Sequence, residues 1–481
     1  MSLHTQTLSR RRFLHTLASL GVGGSTVLSQ WAAPAAHASP AAPDAYRALV
    51  CVFMFGGMDH NDFILPYDAS HYDALRAVRP DIFAAHATES HGASRDRSNL
   101  LPLTPLDQIA TEGRQYAVPQ ELGALRTLFD AEELCFVGSV GPLVQPTSRS
   151  SYESGSVALP PALFSHNDQQ NYWQGLAPEG ARFGWGGRFI DALSQQNKLG
   201  STDDYAAIST AGNNLLLAGR ESHAFKIGSN TVTGPRIEAK KWLLGYGDAY
   251  DTVRANIGAH FRDTFGADPN ILHSDYADLR AAALHKIDNF GSVFNTLTPF
   301  ATSFPSNFFG PHFQRVANAI RASRALGAKR QIFFIGAGGF DTHADQAEDI
   351  AWRQQSLADS VMAFRNAMIE AGAWNDVTVF SGADFGRTLV ANGSGTDHGW
   401  AGHHFVAGGD VRGRRILGRM PEYDPEGEEY TVSRARLIPS VSIEQYSASL
   451  GRWLEVDDTT INSVMPNLAN FSVQDLDFFK A

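Results

Sequence analysis

Eight residues of this chain have the types and settings that hold metal ions: Asp59, Asp341, His343, Asp384, Asp397, His398, His403 and His404. Five of them fall in the single stretch 377–408, VTVFSGADFGRTLVANGSGTDHGWAGHHFVAG. Carboxylates and imidazoles ligate divalent cations, and the glycines among them let the backbone bend so that side chains converge. The other three close two further apolar runs. Leu49–Phe55 leads into Gly56-Gly57-Met58-Asp59, and Gln331–Ile335 leads into GAGGFDTH, which ends at His343. Taken singly, each Asp or His is an ordinary turn residue. Three strand-like runs that each deliver acids or histidines through glycine describe a site at the carboxyl edge of a parallel sheet. Ligands in this number exceed the needs of one structural ion. They suit a divalent cofactor of one or two ions, which in hydrolases clamps the attacking and leaving oxygens of a phosphoryl-like group. Zinc or manganese matches this donor set and iron would accept it, whereas calcium is possible but prefers fewer histidines.

Such a hydrolase also needs an attacking group. Gly141-Pro142-Leu143-Val144-Gln145-Pro146-Thr147-Ser148-Arg149 follows a strand-like run and leads into a helical pattern. A hydroxyl of Thr147 or Ser148 at a helix N-terminus would be aided by the dipole and free amides, and Arg149 could fork onto the same oxyanion. The plainer reading of Thr or Ser in that position is an N-cap. A second polar cluster, Ser165-His166-Asn167-Asp168-Gln169, precedes Tyr172-Trp173 and brings His166 into the candidate catalytic set.

The elements that position these groups follow from periodicity. A strand at the start of 45–66, helical spacing over Glu121–Asp130 and a strand over Glu133–Val140 are the ingredients of a parallel α/β sheet. The strand pattern resumes at Arg330–Gly336, a long amphipathic helix covers Asp345–Gly372, and strands follow at Asp376–Phe380 and Phe405–Ala407. Ser442–Leu454 reads as a helix with Tyr446, Leu450 and Trp453 on one face. Residues 80–118 are polar and read as a surface insertion. Residues 190–330 read as a mainly helical insertion or cap.

The N-terminus carries an address. Ser9-Arg10-Arg11-Arg12-Phe13-Leu14 is a twin-arginine pattern, a mild apolar stretch follows, and Ala36-His37-Ala38 supplies a cleavage site. Residues 1–38 are therefore expected to be a signal peptide read by the twin-arginine export machinery. The mature chain, 39–481, is then periplasmic or secreted. Removing Arg10, Arg11 and Arg12, with no acids, takes the formal charge from -11 to -14. That balance speaks against nucleic acid or an anionic membrane as partner. No run in the mature chain reaches the roughly 18 apolar residues of a membrane span. Cys51 and Cys135 each lie inside an apolar run and read as buried small hydrophobes rather than a pair.

The motifs FMFGGMD, PTSRxxY, LFSHNDQQxxWQG, GGFDTH, DFGRT and TDHGWxxHxFV, in this order, resemble the DUF1501 family, exported bacterial proteins related to the alkaline phosphatase and sulfatase superfamily. The resemblance implies an α/β alkaline-phosphatase-like core, with a mostly parallel sheet flanked by helices and a helical insertion. It implies Asp59 as the first acid, Thr147 or Ser148 as nucleophile, and Asp341 with His343 on one metal. Asp384 with His398 would serve a second metal, and His404 or His403 would close the set. The superfamily usually has the second Asp and His adjacent, so Asp397-His398 is the alternative counterpart. Asp62 stands where the family commonly has Asn, and no Cys occupies the PTSR turn, which leaves a formylglycine mechanism without support. The expected function is hydrolysis of phosphate or sulfate esters, on a small-molecule or polymer substrate. The alternative is a non-catalytic, metal-containing binding or assembly protein of the cell envelope.

Overall fold

Alternation along the first strand, β1 (Arg47–Met54), builds two cores at once. Ala48, Val50, Val52 and Met54 enter one apolar cluster, and Leu49, Cys51 and Phe53 enter another on the opposite face. Successive strand side chains point to opposite faces, so a strand buried on both sides reads as an unbroken apolar run. The computed structural model describes residues 45–480 apart from 89–91, 108–110, 202, 229, 231 and 233–270. The expected leader, 1–38, lies outside the described residues.

β1 is central in a nine-stranded sheet. The other strands are β2 (Leu134–Gly141), β3 (Ala207–Ser209), β4 (Phe225–Lys226), β5 (Arg330–Ala337), β6 (Val377–Ala383), β7 (Gly402–Gly408), β8 (Arg415–Leu417) and β9 (Val441–Ser442). Their order is β8-β2-β7-β6-β1-β5-β3-β4, with β9 also on β2. Val50 stands between Phe333 of β5 and Val379 of β6, both parallel to β1. Only β7 runs against its neighbours β6 and β2.

Helices cover both faces. On one lie α1 (Gly123–Asp130), α5 (Gly310–Ala325) and α6 (Gln346–Glu370), through Leu128, Phe313, Leu357 and Phe364 among others. On the other, α2 (His166–Gly175), α3 (Trp185–Gln195) and α7 (Ile443–Trp453) bury Trp173, Phe189 and Tyr446. This is the expected α/β architecture, a mostly parallel sheet between helices. Cys51 and Cys135 are buried and unpaired. No helix among the described residues is long and apolar enough to cross a membrane.

Two expected regions differ in detail. Within 190–330, α4 (Ile271–Phe294) and α5 are helical, but β3 and β4 extend the main sheet beyond β5. The polar segment 80–118 is not merely a surface insertion. It buries Arg95, which pairs with Asp62 and Glu121 at 2.7 and 2.8 Å, while Arg79 just ahead of it is buried against Asp59. Polar composition misled here because a guanidinium that meets carboxylates can be buried.

Candidate metal centre

The carboxyl ends of β1, β5 and β6 share one edge, and the loops leaving them converge there. Gly56, at φ +112°, lets the β1 loop approach Asp341 so closely that a Cβ would lie 2.4 Å from its backbone nitrogen. Gly56 N–H in turn donates to Asp384 Oδ2 at 3.2 Å.

Around this point the structure gathers His166, Asp341, His343, Asp384 and His398. His166 Nδ1 lies 2.6 Å from Asp384 Oδ2, and its Nε2 lies 3.4 Å from Asp341 Oδ2. Asp341 Oδ1 is 3.1 Å from His343 Nε2 and 3.2 Å from His398 Nε2. The two Nε2 atoms are 3.0 Å apart. His398 Nδ1 donates to the Phe164 carbonyl at 2.8 Å, which turns the lone pair of a neutral ring onto Nε2. His343 Nδ1 faces Asp397 Oδ1 at 3.3 Å, and Asp397 is held by Asn392 and Arg434. That contact is at ion-pair distance without a hydrogen bond, so His343 Nε2 can carry either a lone pair or the ring proton, which it would donate to His398 Nε2. The His398 Nε2 lone pair and the Asp341 carboxylate converge with His343 Nε2 on one point, where a cation or the His343 proton offsets their repulsion.

Hydrogen bonds fix the remaining atoms. Gln170, one turn along α2 from His166, donates to Asp384 Oδ2 at 2.8 Å. Asp384 is fully buried, and its Oδ1 has no partner among the described residues. Arg387 donates to Asp341 Oδ1 at 2.7 Å and is anchored on Thr396. Burial works against the Asp341 charge, but the Arg387 hydrogen bond and charge prevail and hold its carboxyl below the usual range. The Asp384 hydrogen bond raises the His166 pKa, whereas burial lowers those of His343 and His398. His166, Asp341 and His398 can each direct one ligand atom into a space within 4.8 Å.

The other sequence candidates are placed elsewhere. Asp59 is fully buried and accepts both ends of the Arg79 guanidinium, at 2.6 and 3.1 Å, with Gln346 at 2.5 Å. His403 and His404 sit on β7. His403 Nδ1 accepts Ser139 N–H at 3.1 Å, and its ring meets His60. His404 Nδ1 lies 3.1 Å from Ser381 Oγ and its ring packs on Trp173, where burial pushes its pKa down to about 3. Ser148 is the N-cap of the short helix Arg149–Glu153 in a reciprocal capping box with Ser151. Thr147 Oγ1 donates to Gln145 O at 3.0 Å, and Arg149 binds Glu426. Thr147 and Ser148 border a cavity of about 160 Å³ that none of the five gathered residues lines.

Sequence reasoning passed over Arg387 and Gln170, and named Ser165 only within a polar cluster and not as a candidate. Arg387 was visible inside DFGRT. Ser165 is the N-cap residue of α2, yet its side chain makes no capping bond. Its neighbours Phe164 and His166 are both tied to the centre, and Phe164 holds a left-handed backbone at φ +73°. A bulky residue in that region is strained, and such strain clusters at functional sites.

Residues 293–444 match the model of a family described as "Protein of unknown function (DUF1501)". The chain carries a DUF1501 segment. That segment contains Asp341, His343, Asp384, Asp397, His398, His403 and His404, while Asp59, Ser165 and His166 precede it. No curated protein matches the sequence. Among solved structures, Ps i-CgsB in complex with k-i-k-neocarrahexaose is 8% identical, with 86% of this chain and 74% of that one covered at a TM-score of 0.35. The lipoteichoic acid synthase LtaP from Listeria monocytogenes is 9% identical, with 90% and 75% covered at 0.31. The phosphonate monoester hydrolase SpPMH from Silicibacter pomeroyi is 11% identical, with 70% and 69% covered at 0.23. The DUF1501 segment thus supplies β5, β6, β7 and the hairpin of Arg387–Ala391 with Thr396–His398, and α2 brings His166 to it.

Proposed function

We propose that this protein is a metal-dependent hydrolase of phosphate or sulfate esters, exported by the twin-arginine route to the periplasm or beyond. The observation that carries the reading is the pair of imidazole Nε2 atoms 3.0 Å apart over the Asp341 carboxylate. The donor set fits a divalent zinc or manganese ion held by His166, Asp341, His343 and His398, with Asp384 Oδ1, which has no partner among the described residues, in reserve. Once bound there, the ion supplies Lewis acidity toward an ester oxygen. Among the described residues one group, His166, Asp341 and His398, can direct ligand atoms to one point, with His343 Nε2 beside it, which supports one ion rather than two.

The attacking hydroxyl we assign is Ser165 in place of Thr147 or Ser148. Its Oγ makes no hydrogen bond among the described residues, and it stands at the N-terminus of a ten-residue helix whose first-turn amides and dipole favour an oxyanion. Oγ attacks the phosphorus or sulfur, and the departing alkoxide takes the hydroxyl proton. Water then cleaves the serine ester, restoring the hydroxyl and releasing phosphate or sulfate.

Elemental analysis and turnover of 4-nitrophenyl phosphate, bis(4-nitrophenyl) phosphate and 4-nitrophenyl sulfate test both steps. Wild type should hold about one equivalent of divalent metal. Asp341→Ala should lose metal and turnover together, and Ser165→Ala should lose turnover alone. A folded wild type without metal after reconstitution overturns the hydrolase reading. Metal without turnover of any of the three esters favours the binding-protein alternative.

A further inference from the structure

We infer that a groove on the outer side of α6, apart from the metal centre, is a binding site for a neutral saccharide. The groove is a cavity of about 500 Å³, inside the range of roughly 300–1,000 Å³ typical of small-molecule sites. Trp352 of α6 lines it, 37% exposed, and the ring of Phe308, 40% exposed, meets the indole edge-on at 5.7 Å. Isolated exposed aromatics need no explanation, but Trp352 stands at a concave surface as an apolar platform, with Phe308 packed beside it outside the lining. The platform is rigid. Arg353 stacks on the indole at 4.2 Å and is itself held by Asp349 at 2.6 Å.

Around the platform stand groups suited to hydroxyls. Gln355 Nε2 donates to Asp359 Oδ1 at 2.8 Å, one turn apart on α6, which leaves the Gln355 carbonyl and the second Asp359 oxygen as neighbouring acceptors. Gln120 is anchored through its Nε2 on the Asn99 carbonyl at 2.5 Å, so its own carbonyl is free to accept. The back wall includes Glu121, 4% exposed, bound by Arg95 and by Ala93 N–H.

The charge pattern selects among ligands. Among the described residues no lysine or arginine lines the groove, the Arg353 charge beside the indole is paired with Asp349, and Asp359 adds a carboxylate, so phosphate and sulfate groups are disfavoured. Glu121 is already neutralised by Arg95, which leaves little to recruit a polycation. An aromatic floor with side-chain acceptors matches a sugar ring, which sets C–H bonds on an aromatic face and hydroxyls at its rim.

The inference does not depend on ester hydrolysis, and its test reads binding alone. Calorimetric titration of the whole mature protein with cello-, malto-, chito- and agaro-hexaose should show saturable binding of at least one. Each checked for an unchanged melting profile, Trp352→Ala should weaken it about tenfold, the size of a lost aromatic contact, and Gln355→Ala about threefold or more, the size of a lost hydrogen bond. Spermidine is the rival probe. No saturable binding of any of the four sugars, binding that both variants retain, or tighter binding of spermidine would each overturn the assignment.

Discussion

Glu444, in the first turn of α7, should make the protein less stable as pH rises through neutrality. Its side chain is 1% exposed, its Oε1 accepts Asn467 Nδ2 at 2.8 Å, and its Oε2 has no partner among the described residues. Burial pushes the carboxyl from the ordinary 4.5 up to about 7, with the Asn467 bond only partly opposing it. The folded state therefore holds a proton that the unfolded chain releases near 4.5. Stability from this group is full below that value and is lost as pH rises through about 7. Between about pH 5 and about pH 8.5 the loss integrates to about 2.5 kcal/mol, at about 1.36 kcal/mol per pH unit of displacement. Glu444→Gln keeps the size and the acceptor for Asn467 but cannot ionise. Urea unfolding of both proteins across this window is the assay, with the midpoint converted through a common slope. The two should approach each other at the acid end, and the variant should be the more stable at the alkaline end. Curves that stay parallel across the window would refute the reasoning, because Glu444 would then be solvated or paired.

Three other outcomes follow from the site and its support. Arg95→Ala should cost about 3–5 kcal/mol in thermal or urea melts, because it strands two buried carboxylates, Asp62 and Glu121. A loss under about 1 kcal/mol would mean that water reaches them. Ser148→Ala should cost about 1 kcal/mol as a lost N-cap and leave ester turnover unchanged, the opposite of Ser165→Ala, which should abolish turnover with little change in melting. Dialysis against a chelator should lower the melting temperature, and added zinc or manganese should restore it. An ion at 100-fold over its dissociation constant contributes about 2.7 kcal/mol, so an unmoved melting curve would count against the centre.

What the sequence made legible was whatever depends on short-range pattern. The runs that became β1, β5 and β6 are apolar on both faces because helices cover both, and the helix expected at Asp345–Gly372 forms at Gln346–Glu370. Asp341, His343, Asp384 and His398 were legible because each lies within a few residues of a strand end or in the hairpin that follows. Pairings over long sequence distances were not legible. Arg79 and Arg95 meet Asp59 and Asp62 across 20 and 33 residues, and nothing local separates such an arginine from one on the surface. His403-His404 carried a usable signal. Adjacent residues on a strand face opposite sides, so both could not join one centre, and burial within β7 takes both into the interior. The same limit governs the choice between the two hydroxyl-bearing helix starts. PTSR and LFSHN look alike locally, since each offers a polar side chain ahead of a helix. What separates them is that His166 reaches Asp384 across 218 residues while Ser148 reaches only Ser151. A helix N-terminus becomes chemically meaningful through what the rest of the fold brings to face it, and here that is the edge where β1, β5 and β6 end.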